Sequence, residues 1–231
     1  MLKTKLLSCF ISLSLLSISL GCPCDTNVIL KGQIGSIQNP SALRETGSYM
    51  LVICPREEIT LGWVCSSDVD HLKMSPDLGA LNIPSGIRVL SPESTTEYTI
   101  EASGKCKKID KFTVIVVTAN TTLDISATLS RDVSGFFYWK AELLPQFYSP
   151  NVIVSAIRLL PDNKTPPYKE WRLSKLDTSG KQHDYAFSSS WTEIGPVELT
   201  GTWKIAPSDP TSLQPTDLPG NIHFEVRMAC K

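Results

Sequence analysis

The sequence predicts an all-β protein built from two antiparallel β-sandwich domains. Apolar and polar residues alternate with a period of two along many short runs, residues typical of turns separate these runs, and no apolar stripe with helical spacing lies between them. With 42% hydrophobic and 19% charged residues among 231, the chain can bury a substantial core. Short strands joined by turns favour antiparallel sandwiches over mixed α/β architectures.

The first 21 residues have the features of an export signal. Lys3 and Lys5 precede an uncharged apolar run from Leu6 to Leu20, which the small residue Gly21 follows. An apolar run of this length is short for crossing a bilayer, whereas secretory signals use such runs. We therefore expect residues 1–21 to be a signal peptide and the mature protein to leave the cytoplasm.

The end of this signal, Leu20-Gly21-Cys22, resembles the lipobox of bacterial lipoproteins, although Ser19 stands where that family usually has Leu, Val or Ile. The resemblance implies that Cys22 is acylated, becomes the mature N-terminus and holds the protein to a membrane, at the cell surface or in the periplasm. An ordinary signal peptidase that cuts at the same bond would instead release a soluble secreted protein. Both alternatives stay open at this point.

Cysteine parity bears on this choice. Six cysteines follow the signal, and after export they would lie in an oxidising compartment where disulfides form. They are Cys22, Cys24, Cys54, Cys65, Cys106 and Cys230. If Cys22 carries lipid, one of the other five stays free or bridges to another chain; if it does not, all six can pair. No second closely spaced pair or Cys/His cluster accompanies Cys22-Pro23-Cys24, so we expect neither a metal site nor a cofactor.

After the signal, residues 22–46 are rich in Gly, Ser, Asn and Gln and are predicted to form a tether with a short strand at 27–30. The strand periodicity begins at about residue 47. In Ile59–Cys65 every second residue, from Ile59 to Cys65, occupies the same face, as a half-buried strand requires. We expect the first sandwich to cover residues 47–118.

Part of this region resembles a known family. Trp63, the turn Ser75-Pro76-Asp77-Leu78-Gly79 and the run Ser94–Ala102 are similar to features of the small Ig-like modules of bacterial cell-surface and secreted proteins. The resemblance covers about residues 55–118 and implies an Ig-like sandwich that serves as a spacer, stalk or adhesive module.

The same resemblance implies how the cysteines pair. In an Ig-like topology Cys65 and Cys106 lie at the same end of the sandwich, so a Cys65–Cys106 disulfide is expected. Cys54 then lies at the opposite end, with either Cys230 or Cys24 as its partner.

Residues 119–231 are predicted to form a second sandwich-like domain, for which no family resemblance is apparent. Its predicted strands are Leu123–Leu129, Phe136–Leu143, Asn151–Leu160, Trp171–Leu173, Tyr185–Phe187, Val197–Ile205 and Ile222–Met228. The continuous apolar run Asn151–Leu160 is typical of a central strand buried on both faces. The proline-rich segments Pro161–Pro167 and Ala206–Gly220 are predicted to be long loops.

One strand carries a candidate binding face. Four successive aromatic residues, Phe136, Phe137, Tyr138 and Trp139, place rings on both sides of it. Core packing accounts for Phe137 and Trp139, which leaves Phe136 and Tyr138 on the other side. An exposed aromatic pair suits a carbohydrate or protein ligand, while packing against a partner domain is the alternative explanation.

Composition and motifs narrow the function. A formal charge of −1 offers no electrostatic basis for binding nucleic acid. No nucleophile elbow, zinc-binding helix motif, phosphate-binding loop or dinucleotide fingerprint occurs. We therefore expect a non-catalytic, exported envelope or cell-surface protein with a binding or structural role. A soluble secreted binding or effector protein, or a hydrolase with an unrecognised site, is the alternative.

Overall fold

The computed structural model describes residues 26–36, 50–76, 78–160, 170–176, 180–209 and 218–231. Within these ranges the chain consists of β-strands and connecting segments, with no helix, and its strands pair almost entirely antiparallel. The predicted all-β class with antiparallel sheets is therefore confirmed. The predicted signal peptide, Cys22, Cys24, most of the tether and the loop Pro161–Pro167 lie outside the described residues.

Sixteen strands occur in the described part of the chain. They are β1 (Val28–Ile34), β2 (Met50–Ile53), β3 (Ile59–Cys65), β4 (Val69–Ser75), β5 (Gly79–Ala80), β6 (Ser85–Leu90), β7 (Thr96–Gly104), β8 (Lys107–Val116), β9 (Thr122–Arg131), β10 (Phe137–Leu143), β11 (Val152–Leu160), β12 (Trp171–Leu176), β13 (Gln182–Phe187), β14 (Thr192–Glu198), β15 (Gly201–Pro207) and β16 (Asn221–Cys230).

The strands form three sheets. The smallest has the order β1-β3-β6, the next has the order β2-β8-β7-β4-β5, and the largest has the order β13-β12-β15-β10-β9-β16-β11-β14. Strand β2 pairs with β8 in parallel, from Met50 opposite Thr113 to Ile53 opposite Val116. All eight strands of the largest sheet come from residues 122–230.

The chain divides into two compact units. Unit 1 contains the described residues of Met1–Leu30, Trp63–Gly86 and Thr99–Lys111. Unit 2 contains those of Lys31–Gly62, Ile87–Tyr98 and Phe112–Lys231. The expected boundary between residues 118 and 119 stays a prediction.

In unit 1, β4 pairs antiparallel with residues 99–104 of β7 and with the short β5. Its core includes Trp63, Leu72 and Met74, all nearly inaccessible to solvent. The indole Nε1 of Trp63 donates a hydrogen bond to the carbonyl of Asn82 at 2.9 Å, so the buried ring keeps a polar partner.

The large sheet of unit 2 covers an aromatic core. Trp139 and Trp171 pack edge to face with ring centroids 5.5 Å apart, and Trp203 stacks on Phe224 at 5.9 Å. Lys175 is also buried in this core, with its ammonium 5.8 Å from the centroid of the Trp203 ring. These residues alternate along their strands with outward-facing ones, which places a second set of side chains on the opposite face of the sheet.

A disulfide and a short strand tie distant parts of unit 2 together. Cys54 and Cys230 form a disulfide with Cα atoms 5.8 Å apart, so Cys230 is the partner of Cys54. Next to it, Val52 donates its backbone N–H to the carbonyl of Phe147 and accepts from the N–H of Ser149, both at 2.8 Å.

Strand positions depart from the expected ones in three places. The short strand predicted at 27–30 within the tether is β1, but it spans Val28–Ile34 and so continues four residues further than expected. The predicted run Val197–Ile205 is divided between two strands, β14 and β15, and Gly201, the first residue of β15, has a φ of +113°. Strand β11 adjoins the edge strand β14 instead of lying at the centre, and its outward residues are only half-buried.

Candidate functional site

A groove of about 310 Å³ opens on the outward face of the large sheet, at the ends of β10, β12 and β15. Aromatic side chains and two cations dominate its walls. The lining residues are Asp132, Phe136, Phe137, Tyr138, Arg172, Ser174, Lys204, Ala206, Pro207 and Ser208. Its size and its mixture of rings with a few polar groups are typical of a site for a small ligand or for one unit of a larger one.

The turn between β9 and β10 forms one wall. The Asp132 carboxylate accepts hydrogen bonds from the Ser134 backbone N–H at 2.9 Å, the Ser134 hydroxyl at 2.6 Å and the Phe136 backbone N–H at 2.9 Å. The hydroxyl of Ser134 contributes most to lowering the pKa of Asp132, and the backbone donors lower it further. Gly135 takes a φ of +94°, which few other residues tolerate.

This turn holds Phe136 at the rim of the groove. The Phe136 side chain is 57% exposed. A phenyl ring in contact with water lacks the favourable free energy that its burial would contribute. Its backbone N–H is fixed by Asp132, and its carbonyl accepts from the Asp132 N–H at 3.0 Å. The ring is therefore presented to solvent from a backbone that is hydrogen-bonded on both sides.

Tyr138 forms the adjoining wall. It lies two residues after Phe136 on β10, on the side opposite the buried Trp139, and is half-buried. The ammonium of Lys204 lies 5.3 Å from the centroid of its ring, within the range of a cation–π interaction. The candidate pair Phe136 and Tyr138 thus line one groove together, and Phe137, which was expected to pack in the core, is only half-buried and lines the groove as well.

The polar part of the groove comes from β12 and β15. Arg172 and Ser174 alternate with the buried Trp171 and Leu173, and Lys204 lies opposite Ser174 in the β12–β15 register. The Ser174 hydroxyl donates a hydrogen bond to Asp184 on the neighbouring β13. This bond is the largest cause of the lowered pKa of Asp184, followed by the Gln182 amide and the charge of Arg172.

The sequence signalled Phe136 and Tyr138 but not Arg172, Ser174 or Lys204. Each of the missed residues alternates with buried residues, so its outward direction is visible in the sequence. The sequence does not show that β10, β12 and β15 are neighbours, because β15 begins 25 residues after β12 ends and pairs with it non-locally.

The expected Cys65–Cys106 disulfide is wrong. The Cys65 thiol is free and buried, and its Sγ lies 3.2 Å from the carbonyl of Pro84, to which it donates a hydrogen bond. Burial raises the pKa of this thiol, and the charge of Asp68 raises it further. Cys106 takes part in a disulfide, but not with Cys65. The side chain of Cys65, at the end of β3, contacts Pro84 and is not bonded to the hairpin that carries Cys106.

The described residues offer neither a metal site nor a membrane-spanning helix. No group of three or more His, Cys, Asp or Glu side chains there is arranged to hold a metal ion. Nor does the described part of the chain include a helix of the length and apolarity needed to cross a membrane.

Comparison with known proteins identifies no family for this chain. No model of a protein family matches it, and no curated protein is significantly similar to it in sequence.

Proposed function

We propose that this chain is an exported, lipid-anchored envelope or cell-surface protein that binds a carbohydrate in the groove formed by Phe136 and Tyr138. It works by binding, not by catalysis. The observation that carries the proposal is the 57% exposure of Phe136 on a turn fixed by the Asp132 hydrogen bonds. A ring held in solvent at the rim of a concave site offers a flat apolar surface to a ligand.

Carbohydrate is favoured over a protein partner because of the shape and size of the site. A protein interface of ordinary strength covers about 800 Å² on each partner. The groove is a local concavity of about 310 Å³ lined by aromatic rings and by polar side chains, which suits a sugar ring with one apolar face and hydroxyl groups at its edge.

The export and anchoring parts of the proposal rest on the sequence. Lys3 and Lys5, the apolar run Leu6–Leu20 and the lipobox-like Leu20-Gly21-Cys22 support a signal that ends in acylation of Cys22. The two-domain organisation, with an Ig-like sandwich at 47–118, belongs to the same proposal. It is supported by the large sheet, whose strands all come from residues 122–230.

Binding is tested on an array of neutral, uronic and sulfated oligosaccharides. The matched variants are Phe136→Ala and Tyr138→Ala, with Val133→Ala as the control, because Val133 is a fully exposed apolar residue on the same turn that does not line the groove. We expect the first two to weaken saccharide binding about tenfold or more at an unchanged melting temperature, and Val133→Ala to bind normally. Binding of no saccharide, or equal binding by Phe136→Ala and Val133→Ala, would refute the proposal.

Anchoring is tested by the intact mass of the mature protein from its native host. A mass raised by diacylglycerol and an acyl chain on Cys22 supports the lipid anchor. An unmodified Cys22 supports the soluble secreted alternative and leaves the groove proposal standing.

A further inference from the structure

The cations of the groove differ from three other cations of the same sheet, each of which pairs with a carboxylate. Lys140 pairs with Glu142, Arg158 with Glu225, and Arg227 with Glu193. Arg172 and Lys204, by contrast, form no salt bridge with any residue in the described ranges, and both line the groove. Two cations without a contacting carboxylate therefore lie where a ligand would sit.

The acidic groups near these cations are engaged elsewhere. Asp132 lines the groove, but one oxygen of its carboxylate, Oδ1, accepts three hydrogen bonds within its own turn. Asp184 acts on Arg172 through its charge, but its carboxylate accepts from Ser174 and from the amide of Gln182. These two carboxylates reduce the positive electrostatic potential at the groove. The N–H donors of Arg172 and Lys204 nevertheless stay available for an incoming anion.

We infer that the ligand of the groove is an acidic saccharide, whose carboxylate or sulfate is bound by Arg172 and Lys204 while a sugar ring packs on Phe136. This inference rests on the proposed function and specifies its ligand class. Lys204 links the two parts of the site, because its ammonium lies 5.3 Å from the Tyr138 ring centroid, beside the aromatic wall. The planar guanidinium of Arg172 presents parallel donors that match the two oxygens of a carboxylate or sulfate.

An acidic peptide would satisfy the same cations but fits the site less well. Successive acidic side chains of an extended peptide need a line of cations, whereas Arg172 and Lys204 lie within one cavity of about 310 Å³ whose remaining walls are rings, small residues and the Asp132 carboxylate. A single anionic group on a ring-shaped body matches that arrangement. The peptide is therefore an outcome to be measured against the saccharide.

The test compares saccharides that differ only in charge. Uronic-acid trisaccharides are titrated against their methyl esters, and sulfated saccharides against their desulfated counterparts, by calorimetry on the full mature chain. We expect each acidic member to bind about tenfold or more tightly than its neutral counterpart, and added salt to weaken only the acidic one. Binding of carboxylated but not sulfated members, or the reverse, identifies which anion the site takes and supports the inference in either case.

Variants locate the effect. Arg172→Gln and Lys204→Gln should each weaken binding of the acidic saccharide about tenfold and leave the neutral one unchanged, whereas Lys140→Gln, which lies outside the groove and pairs with Glu142, should change neither. Melting temperatures establish that each variant folds.

The failures are distinguishable. If neutral and acidic members bind equally and Phe136→Ala weakens both, the inference is overturned while the proposed function stands. If no saccharide of either series binds, both fall. Binding of a hexaglutamate peptide in preference to every saccharide also overturns the inference.

Discussion

The carboxylate of Glu57 accepts a hydrogen bond from the hydroxyl of Ser149 at 2.7 Å, although the two residues are 92 positions apart in the chain. The same oxygen accepts from the Asn151 amide, and the other carboxylate oxygen accepts from the Cys54 backbone N–H at 2.8 Å. Glu57 therefore joins the turn after β2 to the segment before β11 beside the Cys54–Cys230 disulfide.

Removing the charge of Glu57 should destabilise unit 2. In Glu57→Gln, an amide group replaces one acceptor oxygen, so at least one of the three donors loses its partner. Hydrogen bonds to charged groups contribute about 1.5 to 3 kcal/mol each, and we expect a loss of about that size in the free energy of unfolding, measured with urea. Glu58→Gln is the control, because Glu58 is the exposed neighbour of Glu57, and it should change the free energy by less than about 0.5 kcal/mol. Equal effects of the two variants would contradict this role for Glu57.

The Cys54–Cys230 disulfide should be a major source of stability, because its cysteines are 176 residues apart. On the chain-entropy model a loop of this length stabilises the fold by about 5 kcal/mol, and engineered cases often give less. We expect the double variant Cys54→Ala, Cys230→Ala to lose about 3 to 5 kcal/mol in denaturant unfolding without reductant. Cys65→Ala, which removes a free buried thiol, should lose about 1 to 2 kcal/mol. A double variant as stable as Cys65→Ala would show that the native contacts, not the crosslink, hold these ends together.

How far the sequence predicts the fold depends on whether a strand shows its burial locally. Ile59–Cys65 alternates apolar residues along its sequence and is β3 to the residue, although the structure buries residues 59–63 on both faces, Thr60 included. Val197–Ile205 is equally apolar, but Gly201 with its positive φ breaks it into two strands with different neighbours. The periodicity indicates which face of a strand is buried, but it does not indicate where the backbone turns.

The candidate site divides in the same way. The sequence predicts Phe136 and Tyr138 as candidate binding residues, because the run of four aromatic residues contains more rings than one face of a strand can pack into the core. Arg172 and Lys204 reach the groove through the neighbouring β12 and β15, and this adjacency depends on non-local pairing. The Cys65–Cys106 prediction failed for a related reason, since it required the spatial arrangement of loops that the alternation of residues does not encode.

Gly32 should resist substitution because of its contact with a buried ring. A Cβ atom built on Gly32 would lie 2.2 Å from Cζ of Phe112, which is inaccessible to solvent. Gly32→Ala must therefore displace the ring or the strand, and overpacking of this kind costs about 1 to 3 kcal/mol. The control is Gly220→Ala, because a Cβ on Gly220 meets nothing within 4 Å. We expect thermal unfolding to show a lowered melting temperature for Gly32→Ala alone, and a Gly32→Ala protein as stable as the control would mean that Phe112 can move without cost.

Glu225 should make the stability of unit 2 depend on pH in the acid range. Its carboxylate accepts a hydrogen bond from the Arg158 Nε at 2.8 Å. A hydrogen bond from Thr122 is the largest cause of its lowered pKa, and the hydrogen bond and charge of Arg158 act in the same direction. Because the folded-state pKa lies below the unfolded value of about 4.3, this stabilisation is fully present above that pH and is lost as the pH falls through the folded-state pKa.

Glu225→Gln should therefore be less stable than the wild type by about 1 to 2 kcal/mol at pH 7, and the difference should narrow steadily from about pH 4.5 downward. Arg158→Met removes the hydrogen bond and the charge of Arg158 but leaves the contributions of Thr122 and Arg227. The stability difference between Arg158→Met and the double variant Arg158→Met, Glu225→Gln should therefore be smaller and narrow less steeply. Urea unfolding at a series of pH values measures these differences, and a gap between wild type and Glu225→Gln that stays constant or widens toward low pH would contradict the assignment.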